Sequence, residues 1–224
     1  LNTTIGSSNL TIDTSVPTVS VSQTKDSDKN GYLDSLIVNF GEIINDNFIN
    51  STGCFRVNST AGGEVGDVAV STGETGNDTI LYINWTSSQI QFTNMTPLFN
   101  YTQNTSCQIK DLAGNLLASN RDLHTVDGAP PAFWGCTAYD NNNNGNLDNL
   151  NCTMSENLSN FAGSGVIKNS LFTAYVNYGA NTENNALTIS SVTTRSSGKD
   201  LNNLSIKLNN AVVGTGNVSL AYTS

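Results

Sequence analysis

Asp26, Asp28, Asn30 and Asp34 occupy positions 1, 3, 5 and 9 of one short stretch, with Gly31 at position 6 and the Tyr32 carbonyl at position 7. Oxygen donors spaced two apart converge on one centre, and glycine in the sixth place permits the sharp turn that convergence requires. The spacing is that of a loop able to wrap calcium. Position 12, where a bidentate acid completes such loops, is Ile37, which lowers the attainable affinity. Nearly the same string returns at Asp140, Asn142, Asn144 and Asp148 around Gly145, with the amide of Asn142 where the first loop has the carboxylate of Asp28. The ion-free alternative is a pair of polar turns held by Asx hydrogen bonds. The residues alone leave both readings open.

Few other groups have chemical potential. His124 is the sole histidine, and no serine or cysteine nucleophile motif accompanies it, so it reads as a strand or surface residue. Trp85 and Trp134 lie in strand-like runs and read as core or interface side chains rather than sugar platforms. Glu42 and Glu156 are carboxylates at equivalent places, which favours a shared structural role over an acid/base pair. Without a nucleophile, base or oxyanion constellation, the chain is read as not an enzyme.

The recurrence of the acidic loop is part of a longer repeat. At a shift of 114 residues, Val16 to Ile44 falls on Pro130 to Leu158 without a gap, matching Pro17 to Pro131, Asp26 to Asp140, Asn30 to Asn144, Gly31 to Gly145, Leu33 to Leu147, Asp34 to Asp148, Leu36 to Leu150 and Glu42 to Glu156. Such order exceeds what shared composition produces, so two copies of one domain are expected, residues 16–128 and 129–224, behind a tail of residues 1–15. Each copy has β patterning throughout. PTVSVS, LDSLIVNF, TILYINW, ALTISSV, LSIKL and NVSLAY are short runs, most of them alternating with period two, between Gly, Asn and Ser turns. No long capped helical pattern interrupts them. The expectation is all-β, two antiparallel sandwiches in tandem.

Four cysteines allow three pairings, and one of these keeps each bridge inside one copy: Cys54 with Cys107 and Cys136 with Cys152. Cys136 and Cys152 are symmetric about the second Asn/Gly loop, so a hairpin centred there sets their sulfurs face to face. Metal ligation is disfavoured, because the chain has no Cys-x-x-Cys pair.

Composition places this chain outside the reducing cytoplasm. Charged residues make up only 12% of the 224, and the net charge of −9 speaks against nucleic acid and anionic membranes as partners. No apolar run is long enough to span a bilayer. Thirteen Asn-x-Ser/Thr acceptors occur, at Asn2, Asn9, Asn50, Asn58, Asn77, Asn84, Asn94, Asn100, Asn104, Asn151, Asn157, Asn203 and Asn217, where chance would give about 8. Together with the paired cysteines they imply an extracellular, N-glycosylated protein. The start at Leu1 rather than Met reads as a processed product.

Pro17, then VNFGE from Val38 to Glu42, then DLAGN from Asp111 to Asn115 resemble the opening strand, the apolar strand and the closing motif of Ig-like modules from prokaryotic surface and S-layer proteins. The resemblance covers the first copy; the second keeps the opening, APPAFWG and CTMSEN, but has no DLAGN counterpart before Ser224. The second copy is therefore expected to lack its last strand. Conversely, TIDTSVP (Thr11 to Pro17) matches TVDGAPP (Thr125 to Pro131), so the tail reads like a closing strand with no domain in front of it. A sandwich short of one strand offers unpaired backbone and an apolar groove. Residues 1–15 of one copy are expected to fill the second domain of the next, with Ile5, Leu10 and Ile12 as groove-filling side chains. That head-to-tail contact is heterologous and builds a filament. The organisation is similar to donor-strand-complemented fibres, namely chaperone-usher pili and the N-glycosylated thread filaments of archaea, which implies adhesion or biofilm formation. An Ig-like adhesin or S-layer-associated module, stabilised by calcium, is the alternative.

Overall fold

Period-two patterning becomes strand wherever the apolar member of each pair finds a core. In SLIVNF, Leu36, Val38 and Phe40 are buried while Ile37 and Asn39 between them remain half-buried, as a pleated strand with one covered face requires. The computed structural model describes residues 12–48, 52–59, 63–65, 68–73, 76–86, 89–158, 169–177, 185–194, 202–213 and 217–222. Asn2, Ile5, Asn9, Leu10 and Asn50 lie outside the described residues.

The described chain is all-β, built from several antiparallel sheets. Its strands sort into two compact units. One comprises Leu1–Thr24, Ser35–Thr86 and Thr96–Val126; the other comprises Lys25–Asp34, Ser87–Met95 and Asp127–Ser224. Both the first acidic loop and residues 87–95 belong to the second unit, although the sequence sets them inside residues 16–128.

Among the described residues the first unit has two sheets. β1 (Val19–Lys25), β3 (Ser35–Phe40), β6 (Ile80–Asn84) and β5 (Ala69–Ser71) form one, in that order, and β4 (Phe55–Asn58), β8 (Leu98–Tyr101) and β9 (Asn120–Leu123) the other. Leu36, Val38, Leu81 and Ile83 from the first sheet and Val57, Phe99 and Tyr101 from the second are all buried. Cys54 is bonded to Cys107. DLAGN closes as a tight turn: Asp111 accepts from the backbone N–H groups of Gly114 and Asn115 and from the Asn115 side chain.

In the second unit, β10 (Phe133–Tyr139), β11 (Asn146–Met154), β15 (Asn203–Val213) and β14 (Ile189–Thr194) repeat the order of the first sheet. The bounds of β10 are those of β1 shifted by 114 residues, and β11 covers the shifted β2 (Tyr32–Leu33) and β3. The second sheet runs β13 (Asn185–Leu187), β12 (Phe172–Asn177), β16 (Asn217–Tyr222), and β2 pairs with β7 (Ile90–Gln91) as a short ribbon. Leu150, Cys152, Met154, Phe172, Ala174, Val192, Leu204 and Ile206 form the buried core. Cys136 faces Cys152 across β10 and β11 and is bonded to it, as the hairpin geometry requires.

Candidate functional site

The two units differ at the edge that a closing strand occupies. In the first unit β9 pairs antiparallel with β8, Phe99 opposite Leu123 and Tyr101 opposite Asn120. The chain then crosses to the other sheet, where Val126 pairs in parallel with Gln23. Thr24 N–H donates to the Val126 carbonyl at 3.0 Å, and Val126 N–H donates to the Ser22 carbonyl at 2.8 Å. Beside this strand, Ser22 and Thr24 are only 2% and 1% exposed.

In the second unit β16 takes the place of β8 and pairs with β12, and among the described residues its other edge has no strand. β10 takes the place of β1, yet Gly135 through Tyr139 are all exposed, including Cys136 and Ala138 at the positions matched to Ser22 and Thr24. Whereas Phe99 and Tyr101 of β8 are fully buried, Val218 and Leu220 of β16 are only partly so. A cavity of about 290 Å³ is lined by Phe133 of β10 and Leu220 of β16 together with Asp26, Lys29 and residues 130–132. Unpaired backbone beside half-covered apolar side chains is the chemistry of strand addition.

Both acidic loops adopt one conformation. In the first, Asp26 accepts from the N–H groups of Asn30 and Gly31, Asp28 from Asn30, Asn30 from Tyr32, and Asp34 from Ser27. The second repeats this bond for bond: Asp140 from Asn144 and Gly145, Asn142 from Asn144, Asn144 from Asn146, and Asp148 from Asn141. The Asx turns are therefore formed, and they also gather carboxylates: one oxygen each from Asp26, Asp28 and Asp34 lies within 4.8 Å of the others. Burial is the largest effect on Asp26 and raises its pKa, with the backbone donors opposing it.

Their surroundings differ. Gly31, at φ +90°, lies against Trp134, whose Nε1 donates to the Gly31 carbonyl at 3.3 Å, and an added Cβ would meet that nitrogen at 2.0 Å. Trp134 also stacks on Tyr32, with ring centroids 5.9 Å apart, and tilts against Phe92 at 5.0 Å. Beside this cluster the Thr93 and Ser155 hydroxyls are bonded at 2.7 Å, and Ser155 exchanges hydrogen bonds with the backbone of Ala132. These contacts hold residues 25–34 and 87–95 in the second unit. Trp134 is thus an interface residue within that unit, and Trp85 a core residue, only 6% exposed. His124 is exposed.

Glu42 and Glu156 keep equivalent company, since Asp13 and Asp127 beside them are also 114 residues apart. Glu42 is raised by partial burial, then by the charges of Asp111 and Asp13. Glu156 is pushed up to about 7, by burial first and the Asp127 charge second, with a hydrogen bond from Thr93 opposing both, and its Oε2 is buried without a hydrogen-bond partner. Sequence reading found the two glutamates but not this perturbation, which depends on the burial of Glu156 in the packed chain.

Of the glycan acceptors, Asn77, Asn94, Asn104 and Asn157 are exposed, while Asn58, Asn84, Asn100, Asn151 and Asn203 are half-buried. Asn84 is held by Ser35 and Ser71, and Asn100 accepts from Asp122 N–H. Asn217 opens β16. Ile12 is 74% exposed. Among the described residues no helix is long and apolar enough to cross a membrane. Comparison with known proteins finds no matching family model, no matching curated protein and no matching solved structure.

Proposed function

We propose that this chain is the structural subunit of an extracellular, N-glycosylated filament, assembled head to tail by strand donation and serving adhesion or biofilm formation. The observation that carries the proposal is the contrast at the closing edge: Ser22 and Thr24 of β1 are buried beside the strand through Val126, whereas the matching Cys136 and Ala138 of β10 are exposed, and among the described residues the outer edge of β16 has no strand. The two sheet orders of the first unit also support the Ig-like reading, because a four-strand and a three-strand sheet in this connectivity make the seven-strand sandwich of that class. The donor is residues 1–15 of a neighbouring copy, chosen because Thr11 to Pro17 matches the first unit's own exit, Thr125 to Pro131. Two disulfides fit a secreted chain. In this role the protein does no catalysis.

Electron microscopy of the native surface material and of purified subunit tests the proposal. Thin unbranched fibres are expected, and deletion of residues 1–14 abolishes them. Fibres of normal length from the deleted chain would refute strand donation. The clustering of Asp26, Asp28 and Asp34 favours one second reading, a calcium-stabilised Ig-like adhesin or S-layer-associated module. That reading predicts monodisperse particles whose stability depends on calcium.

A further inference from the structure

We infer that Ile12 of one copy pairs in parallel with Thr137 of the next, along the exposed outer edge of β10, so that the donated strand bridges both sheets of the acceptor and covers its Cys136–Cys152 disulfide. The inference rests on the strand-donation reading and specifies its register.

The template is the first unit. There the closing strand runs along β8 and ends on β1, with Val126 between Ser22 and Thr24. The repeat carries Ser22, Gln23 and Thr24 onto Cys136, Thr137 and Ala138, and Val126 onto Ile12. The transferred bonds are Ile12 N–H to the Cys136 carbonyl and Ala138 N–H to the Ile12 carbonyl.

The backbone of β10 is set up for these bonds. Paired residues in an antiparallel ladder alternate between those that exchange hydrogen bonds and those that do not, and the second kind has the closer Cα atoms, about 4.5 Å apart. Cys136 and Cys152 have Cα atoms 4.0 Å apart, so their peptide groups point away from each other. Ala138, two residues on in the same unbroken register, has the same orientation. The Cys136 carbonyl and the Ala138 N–H therefore face outward, on the side that Ser22 and Thr24 use to hold Val126.

The donor is positioned as well. The Asp13 carbonyl accepts from the Asn115 side chain at 3.2 Å, which fixes the chain one residue after Ile12, and Ile12 itself is 74% exposed. Val126, its match, keeps 46% exposure even when paired, so Ile12 contributes mainly its backbone at this register. The occupant is a second copy of this chain, because the tail of the same sequence carries the matching strand.

The test places the photo-crosslinker p-benzoyl-phenylalanine at position 12, a substitution at an exposed site, and assembles an equal mixture of isotopically light and heavy chains. Crosslinks between light and heavy copies that map to Cys136–Tyr139 are expected. Intermolecular crosslinks confined to other strands, in chains that still form fibres, would overturn the register and leave strand donation standing. An unsubstituted chain that stays monomeric and forms no fibres, together with a substituted chain that gives no intermolecular crosslink, would overturn both. As a second variant, Ala138→Pro removes the outward N–H at an edge where the hairpin does not use it. It is expected to leave the subunit folded by circular dichroism and to abolish fibres; fibres of normal length from this variant would overturn the register.

Discussion

Glu156 shows how packing changes a residue that the sequence presents as ordinary. Its pKa is pushed from 4.5 to about 7, so the folded chain prefers it protonated. Below pH 4.5 both folded and unfolded chains carry the proton and the residue costs nothing. Between 4.5 and 7 the unfolded chain ionises first and stability falls as pH rises; above 7 the cost is constant. Glu156→Gln should therefore raise the midpoint of thermal unfolding at pH 8 by a few degrees, about what 1 kcal/mol produces in a chain of this size, and change little at pH 4. Equal shifts at both pH values would refute the assignment. The acceptor asparagines make a second prediction at this scale. Exposed Asn77, Asn94, Asn104 and Asn157 should carry glycan at higher occupancy than the half-buried Asn84 and Asn100. Intact-glycopeptide mass spectrometry of the native protein reads this directly, and the reverse order would count against it.

The two acidic loops make a matched pair of elements with one backbone and different side chains. Both have a positive-φ residue and then a positive-φ glycine, Lys29 and Gly31 in one, Asn143 and Gly145 in the other. This was legible in the sequence, since local Asx bonds and glycine turns depend on residues a few positions apart. The loops diverge in what surrounds them. Gly31 is covered by Trp134, whereas an added Cβ at Gly145 meets nothing within 4 Å. Millimolar calcium at neutral pH should raise the unfolding midpoint, and Asp28→Asn, which gives the first loop the chemistry of the second, should remove most of that rise. No shift in the parent protein would leave the loops as Asx turns alone. The β10–β11 hairpin was equally legible, because Cys136 and Cys152 are symmetric about its turn. By contrast, β9 has three exposed residues in four and no alternating apolar signal, so it forms only because β8 offers it an edge.

At the scale of the whole molecule, the sequence by itself determined the β class, the 114-residue repeat, the disulfide pairing and the positions of both loops. Each is carried by short-range pattern, by spacing or by self-similarity, all of which survive without knowledge of the fold. Only the tertiary structure decided that residues 25–34 and 87–95 belong to the second unit, since that depends on Trp134 and Ser155 finding partners that lie far from them in sequence. It also decided which edges of β10 and β16 have no neighbouring strand among the described residues, because an edge is defined by the strands around it. The perturbed Glu156 belongs with these, as burial is a property of the packed chain rather than of any residue within it.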